Sequence, residues 1–172
     1  MDVLTAIKTR RSIRSFKRKS IGEEILRKIL EAATYAPSSG NLQNWEFVIV
    51  RDPERKRKIA EIAYGQEFVA DADVVIVACS DQNRVARYGE RGKKLYAIQN
   101  VAAAVQNLML AAWSFGIGSC WVGAFDEAEL SELLNLPEHV VPHAIIALGY
   151  PDERPSVPPR RKLEEVIHKE KW

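Results

Sequence analysis

Residues 36–47 read Ala36-Pro37-Ser38-Ser39-Gly40-Asn41-Leu42-Gln43-Asn44-Trp45-Glu46-Phe47, and the rest of the chain is arranged around them. The stretch joins a helical run ending near Tyr35 to the β-prone run Trp45-Glu46-Phe47-Val48-Ile49-Val50. Its hydroxyl and carboxamide groups are crowded around one glycine. Ser and Asn side chains bond neighbouring backbone in turns, and Gly reaches backbone angles that other residues avoid. The same groups suit the polar edge of a bound ring, so composition leaves turn and ligand edge both open.

Working outward, the N-terminal side begins with a helix capped by Asp2 and running to Lys8, with Val3, Leu4 and Ile7 as its apolar stripe. Arg10-Arg11-Ser12-Ile13-Arg14-Ser15-Phe16 is too basic and too broken in period for a core element. Ser20 and Glu23 have capping-box spacing, and the helix they open carries Ile25, Leu26, Ile29, Leu30 and Ala33 on one face. It stops at Pro37, which disfavours helix in the residue before it.

On the C-terminal side, Asp52-Pro53 opens a helix that Gly65 closes, and 66–73 is a connector. The run 74–79 is continuously apolar, as in a strand covered on both faces. Residues 81–94 are polar, carry Gly89 and Gly92, and read as the most mobile part. A long core helix follows over 95–115, with Leu95, Ile98, Val101, Ala102, Val105, Leu108, Met109 and Ala112 at helical spacing. A strand over 117–122, a helix capped by Asp126 and a last strand over 141–148 complete the pattern, and a proline-rich end closes the chain. Interleaved helices and strands predict an α+β or α/β fold with helices covering a sheet.

The 172 residues suffice for a core without disulfide staples, and 47% apolar with 28% charged residues is an ordinary globular balance. The net charge of +2 is uneven: residues 1–20 hold seven Lys or Arg against Asp2. Such a cluster reads as a site for phosphate, nucleic acid or acidic lipid. Arg10, Arg11, Ser12 and Arg14 at one end, and Arg160 and Arg161 at the other, offer the forked donors that hold phosphate oxygens. Surface ion pairing and a frayed tail are the competing readings. Cys79 and Cys120 lie in separate apolar segments without metal-ligand spacing, and His139, His143 and His168 are scattered. Gly-x-Ser-x-Gly, the dinucleotide glycine fingerprint and the phosphate-loop Lys-Ser/Thr are all missing. No apolar run of signal-peptide type opens the chain and no stretch approaches membrane-spanning length, which predicts a cytoplasmic protein. Donors for an anion without a side-chain acid, base or nucleophile suit a protein whose reactive group is a cofactor.

Five segments taken together resemble the FMN-dependent nitroreductase family: residues 10–14, residues 36–47, residues 107–119 from Asn107-Leu108-Met109 to Gly116-Ile117-Gly118-Ser119, Ile146-Ala147-Leu148-Gly149-Tyr150-Pro151, and Arg160-Arg161-Lys162-Leu163-Glu164-Glu165-Val166. The resemblance implies an α+β, three-layer α/β/α fold with a central mixed, mainly antiparallel sheet. It implies a single FMN-binding domain over 1–172, with 151–172 as an extended C-terminal arm, and an intertwined homodimer with FMN at the subunit interface. By it, Arg10, Ser12 and Arg160 hold the FMN phosphate with Arg11 and Arg161 nearby, and Arg14 lies by the flavin N1/O2 edge. Pro37, Ser38, Ser39 and Asn41 come from the other subunit, pointing donors and acceptors outward to the ring and ribityl chain. Gln66 approaches the pyrimidine edge, and Val122 and Gly123 offer backbone N–H groups to N5 and O4. Cys120 and Trp121 depart from the family's smaller or proline-containing run, and leave the shape of that face open. A buried, inert thiol is the plain reading of Cys120.

The implied activity is a ping-pong NAD(P)H oxidoreductase: NADH or NADPH reduces FMN, then a nitroaromatic, quinone or enone accepts the electrons. The short 81–94 segment leaves little material for a substrate-selecting lid. A flavin-binding or sensing protein with little turnover is an alternative, and a basic nucleic-acid-binding module a further one. The N-terminal basic residues form no helical basic face with interleaved aromatics, which weighs against the last.

Overall fold

A computed structural model describes residues 1–172. Its centre is a four-stranded antiparallel sheet in the order β1-β2-β4-β3, from β1 (Trp45–Val50), β2 (Val74–Asp81), β3 (Gly118–Val122) and β4 (Val140–Gly149). The single parallel pairing is a bridge between Ser12 and Ser119 at the outer side of β3. Strand period places Val74, Ile76 and Ala78 of β2, and Ala144, Ile146 and Leu148 of β4, in one apolar cluster with the helix faces of α2 (Glu23–Thr34) and α6 (Ala97–Ser114). The alternate residues Val75, Val77, Cys79, Ile145 and Ala147 join the cluster of the opposite side. There they meet α3 (Pro53–Ile62), α4 (Phe68–Asp71) and α7 (Glu127–Leu133). Two central strands covered on both faces explain the uninterrupted apolar run of β2 and give the three-layer architecture expected of the sequence.

Caps follow the sequence at three helix starts. Asp2, Asp52 and Asp126 each accept a backbone hydrogen bond three residues on, which opens α1 (Val3–Thr9), α3 and α7. The capping box at Ser20 does not form. Gly22 is the N-cap of α2 without a side-chain bond, and the Ser20 hydroxyl donates instead to Asp73 at 3.2 Å. Asp73 also accepts from the Ile21 N–H at 2.8 Å and from Arg51 at 3.0 Å, so a half-buried tertiary anchor takes the place of the local cap. Glu23 and Glu24 remain to favour the helix N-terminus.

Three further expectations change. The 66–73 connector contains α4. The 81–94 segment is largely helical: a 3₁₀ turn (Ala86–Tyr88), α5 (Gly89–Arg91) and a π turn (Gly92–Tyr96) run into α6. Val85 and Gly92 are buried and hold that run down, against the polar composition that suggested a loose segment. The helical run Ala86–Ser114, 29 residues, is therefore long and apolar enough to cross a membrane by length and composition. Its apolarity is spent on the core, where Val101, Ala104, Val105, Leu108 and Ala112 pack on the sheet and α2.

Pro142 marks an irregularity. The β2–β4 register passes from Ala78–Ala144 to Cys79–Pro142, so His143 is the extra residue of a bulge, where a residue without an N–H does least harm to the ladder. The bulged His143 bonds the buried Ser80 hydroxyl at 2.7 Å, and burial holds its pKa below the ordinary imidazole value.

Because Ile146 lies fully buried in the sandwiched strand β4, Ile146→Ala should cost about 2–5 kcal/mol and Ile146→Val about 1 kcal/mol. Urea unfolding at constant m-value reads both; a loss below 1 kcal/mol for the alanine variant would contradict a close-packed layer.

Candidate functional site

Four pieces remote in sequence meet along the β3 edge. The basic segment leaves α1 and runs beside β3, with the Ile13 N–H donating to the Ser119 carbonyl at 3.0 Å. That approach needs Gly118: a Cβ there would stand 2.7 Å from the Ile13 side chain, closer than real Cβ atoms come. Arg10 and Ser12 are half-buried on this segment. Burial, then repulsion from Arg11 and Arg160, pushes the Arg10 guanidinium below its ordinary pKa. The two ends of the chain thus place like charges near one another. Arg11 folds back on the end of α1, donating to the Lys8 carbonyl at 2.9 Å and the Arg10 carbonyl at 2.8 Å. Arg160 and Arg161 both donate within their own arm, Arg160 to the Pro158 and Pro159 carbonyls at 3.3 and 3.1 Å and Arg161 to the Glu165 carbonyl at 2.9 Å.

Arg14 stacks over the Phe68 ring, 5.8 Å from its centroid. Gln66, two residues earlier, donates to the Ala63 carbonyl at 2.9 Å and to the Ala124 carbonyl at 3.4 Å, tying the start of α4 to the chain just beyond Gly123. Glu153, which sequence reading passed over, receives the backbone N–H groups of Arg14 and Ser15 and fastens the arm to the basic segment. Along β3, Trp121 is 38% exposed, whereas the Val122 side chain belongs to the core, so only its backbone can face a ligand. Cys120 is buried; Arg14 and Arg10 pull its pKa down, but burial outweighs them and raises it. Charges invisible in sequence do reach the thiol, and it stays neutral. Ser119 Oγ, buried where the basic segment crosses, has no partner within the chain.

The Pro37–Asn44 loop lies elsewhere. It leads into β1, the opposite edge of the sheet, three strand spacings or about 14 Å from β3. Gly40 (φ 54°), Asn41 (φ 55°) and Gln43 (φ 48°) all take left-handed backbone. The side chain of Asn100 in α6 is the loop's anchor. Its Oδ1 accepts from the Ser39 N–H at 3.0 Å, and its Nδ2 donates to Ser39 Oγ at 3.0 Å and Asn44 Oδ1 at 2.7 Å. The outward display expected of this loop is therefore partial. Ser39 faces Asn100, Ser38 Oγ accepts from the Gln43 N–H at 3.0 Å, and Asn41 Oδ1 accepts from Gln43 Nε2 at 3.1 Å. Pro37 and Asn41 are exposed. Asn44 Nδ2 is the second buried polar side-chain atom without a partner. Nothing in the helical pattern of α6 distinguished Asn100; only its three hydrogen bonds to Ser39 and Asn44 do.

Arg10, Ser12, Arg14, Gln66 and Gly123 thus lie along the β3 edge, with Arg160 near enough to repel Arg10, and the serine–asparagine loop lies at the other edge of the sheet. A groove of about 640 Å³ between α2 and β1, lined half by apolar side chains such as Leu26, Trp45 and Phe47 and half by polar ones such as Arg27, Glu31 and Glu46, lies on the loop's side of the sheet. The nitroreductase family model matches residues 7–67 and 63–150. The chain belongs to the nitroreductase family. A relative from Methanothermobacter thermautotrophicus with the provisional name NADH dehydrogenase/NAD(P)H nitroreductase is 40% identical over 178 residues, covering 100% of this chain and 88% of the relative. An FMN reductase (NAD(P)H) of Bacillus subtilis is 35% identical, covering 99% and 74%. Among solved structures, the NADPH:FMN oxidoreductase of Vibrio harveyi in complex with NAD+ superposes with a TM-score of 0.92 at 31% identity, covering 99% and 77%. The α+β architecture with an antiparallel sheet between helices is that of these nitroreductase structures.

Two outcomes follow for this nitroreductase chain. Asn100→Ala leaves Ser39 N–H and Asn44 Oδ1 without partners and should cost about 2 kcal/mol or more, with faster amide exchange confined to 38–44; unchanged exchange there would remove Asn100 as the loop's anchor. The Cys79 thiol, pushed up to about 12 by burial from 9.0, stays neutral in the folded chain while the unfolded chain ionises. Its contribution to stability is present below pH 9 and is lost as pH rises towards 12. Neither Cys79 nor Cys120 should react with a thiol reagent at pH 8 without denaturant, and rapid labelling of either would contradict their burial.

Proposed function

We propose that the chain is an FMN-dependent NAD(P)H oxidoreductase, a single functional unit over 1–172, that works as an intertwined homodimer in the cytoplasm. It takes hydride from NADH or NADPH and passes it to a nitroaromatic, a quinone or a similar small acceptor in a second half-reaction at the same pocket. The observation that carries this reading is the gathering of Arg10, Ser12 and Arg160 beside Arg14 and Gln66, with no side-chain nucleophile or acid–base pair among them. A cationic pair in mutual repulsion, an orphaned Ser119 hydroxyl and an exposed backbone at Gly123 suit a group that is anionic at one end and polar along its ring edge. FMN, when bound, supplies the ring that accepts and returns hydride.

The protein's part is to bind and orient. Arg10, Ser12 and Arg160 would hold the phosphate, with Arg11 adding positive field rather than a direct contact and Arg161 more remote. Arg14, kept in place by Phe68, would put positive charge at the pyrimidine edge, which favours the reduced, anionic form and raises its potential. Gln66 and the backbone N–H groups of Val122 and Gly123 would face that edge. Trp121, with Cys120 beneath it in the strand, would wall the face on which acceptors enter.

Two copies are needed because the loop bearing Pro37, Ser38, Ser39 and Asn41 stands at the far edge of the sheet from the basic segment. The apolar face of α1 (Val3, Leu4, Ile7) and the arm residues Val157, Leu163, Val166, Ile167 and Trp172 are exposed in the single chain, and large apolar exposure of this kind marks a protein interface. The arm would wrap the partner and bring its loop to the flavin.

Purified protein should be yellow, bleach with anaerobic NAD(P)H and regain colour when a quinone or nitroaromatic is added. A flavin that NAD(P)H cannot bleach would refute the oxidoreductase reading. Arg10→Ala with Arg160→Ala should weaken FMN binding at least about tenfold, as expected for lost charge-assisted bonds, while the far-UV spectrum stays unchanged. Full FMN affinity in that double variant would remove them as the phosphate site.

A further inference from the structure

The helical run that leads into α6 carries a second cationic feature that the flavin site does not use. Residues 84–94 hold Arg84, Arg87, Arg91, Lys93 and Lys94 against one carboxylate, Glu90. Lys94 pairs with Glu90 at 3.0 Å and Arg84 with Asp81 at 3.7 Å. Arg87 and Arg91 take neutral partners instead. Arg87 Nη2 donates to the Tyr88 hydroxyl at 3.0 Å and to the Gly40 carbonyl at 3.3 Å, and its guanidinium lies 4.9 Å from the Tyr88 ring centroid. Arg91 Nε donates to the Tyr96 hydroxyl at 3.0 Å, with its guanidinium 5.4 Å from that ring. The two rings meet edge to face at 5.3 Å, closing an Arg87–Tyr88–Tyr96–Arg91 ladder.

Three features mark the ladder as built for an anion. Arg91 engages only Nε, so its two terminal nitrogens, the edge that grips phosphate in parallel bonds, are free. Phenol partners fix both guanidinium groups in place without neutralising them, which reduces the ordering cost of binding. The π turn at Gly92–Tyr96 is what lets Arg91 and Tyr96, five residues apart, share a face; such turns concentrate at functional sites. The position is equally specific. Arg87 touches the backbone of Gly40, the centre of the loop assigned above to the flavin edge.

We propose that this ladder binds the phosphates of the nicotinamide dinucleotide that reduces the protein. The inference rests on the oxidoreductase reading. A reductant that lays its nicotinamide on the ring leaves its diphosphate and adenosine outside the pocket, and the ladder is cationic surface bonded to the pocket's own rim. The 2′-phosphate of NADPH and the diphosphate common to NADH and NADPH present the same oxygen chemistry, and the experiment separates them.

The test is calorimetric titration of NADP+ and NAD+ into FMN-loaded protein, with flavin bleaching followed in parallel. Arg91→Ala is the primary variant because the only side-chain hydrogen bond of Arg91 is to Tyr96; Arg87→Ala would also release the Gly40 loop. Arg91→Ala should weaken NADP+ about tenfold, as for loss of a charge-assisted bond, with FMN content unchanged and partial rescue in Arg91→Lys. Weakening of NADP+ alone supports the ladder and assigns it to the 2′-phosphate; equal weakening of NADP+ and NAD+ supports it and assigns it to the diphosphate. If neither changes, or if Arg91→Ala loses FMN along with nucleotide, the ladder is not a phosphate site. Bleaching by NAD(P)H that persists in either case leaves the oxidoreductase reading standing, whereas wild-type protein that is not bleached and binds neither nucleotide overturns both.

Discussion

Burial of β2 and β4 on both faces is the constraint on which the rest of the molecule depends. Once those two strands are covered by α2 and α6 on one side and by α3, α4 and α7 on the other, no polar ligand can reach the middle of the sheet. Binding chemistry is then confined to the edges and the ends of strands. Each edge is equipped differently: β3 takes the basic segment through the Ser12–Ser119 bridge, and β1 takes the polar loop through Asn100. The separation of these two half-sites follows from strand order alone.

Electrostatics then gives each edge its character. At the β3 edge Arg160 lies near enough to add to the repulsion on Arg10, and Glu153 binds backbone N–H groups instead of neutralising a guanidinium. Positive charge kept unpaired near a half-buried segment suits an anionic group. Near the β1 edge the same logic recurs in the Arg87–Tyr96 ladder, where phenol oxygens take the place of carboxylates. Cys120 illustrates how magnitudes decide. Two arginines act on it and would activate an exposed thiol, yet desolvation dominates and the residue is packing.

Much of the fold was legible in the chain because it rests on local signals. Three aspartate caps, the uninterrupted apolar run of β2 and the helical period of α6 each act over a few residues, and each appears where the pattern places it. The failures have a common cause. Ser20 has capping-box spacing, but its hydroxyl donates to Asp73, fifty-three residues away, instead of accepting a helix N–H. Residues 81–94 have the composition of a loop, but buried Val85 and Gly92 draw them into helix. In both cases a tertiary partner outbid a local preference.

For the site, the sequence by itself determined the donor inventory: arginines with a serine at the first turn, a serine–asparagine loop around Gly40, an arginine pair in the arm, and the resemblance that linked them. Residue type sets what a side chain can donate or accept, and that is readable without coordinates. Only the tertiary structure decided which donors cooperate. It brought Arg160 within electrostatic reach of Arg10 across the length of the chain, turned Arg11, Arg160 and Arg161 to backbone carbonyls, brought Gln66 beside Ala124, and made Asn100 the anchor of a loop sixty residues earlier. It also set the loop and the basic segment at opposite edges of one sheet. The physical reason is that hydrogen bonding and charge act over a few ångströms of space, while sequence records only order along the chain.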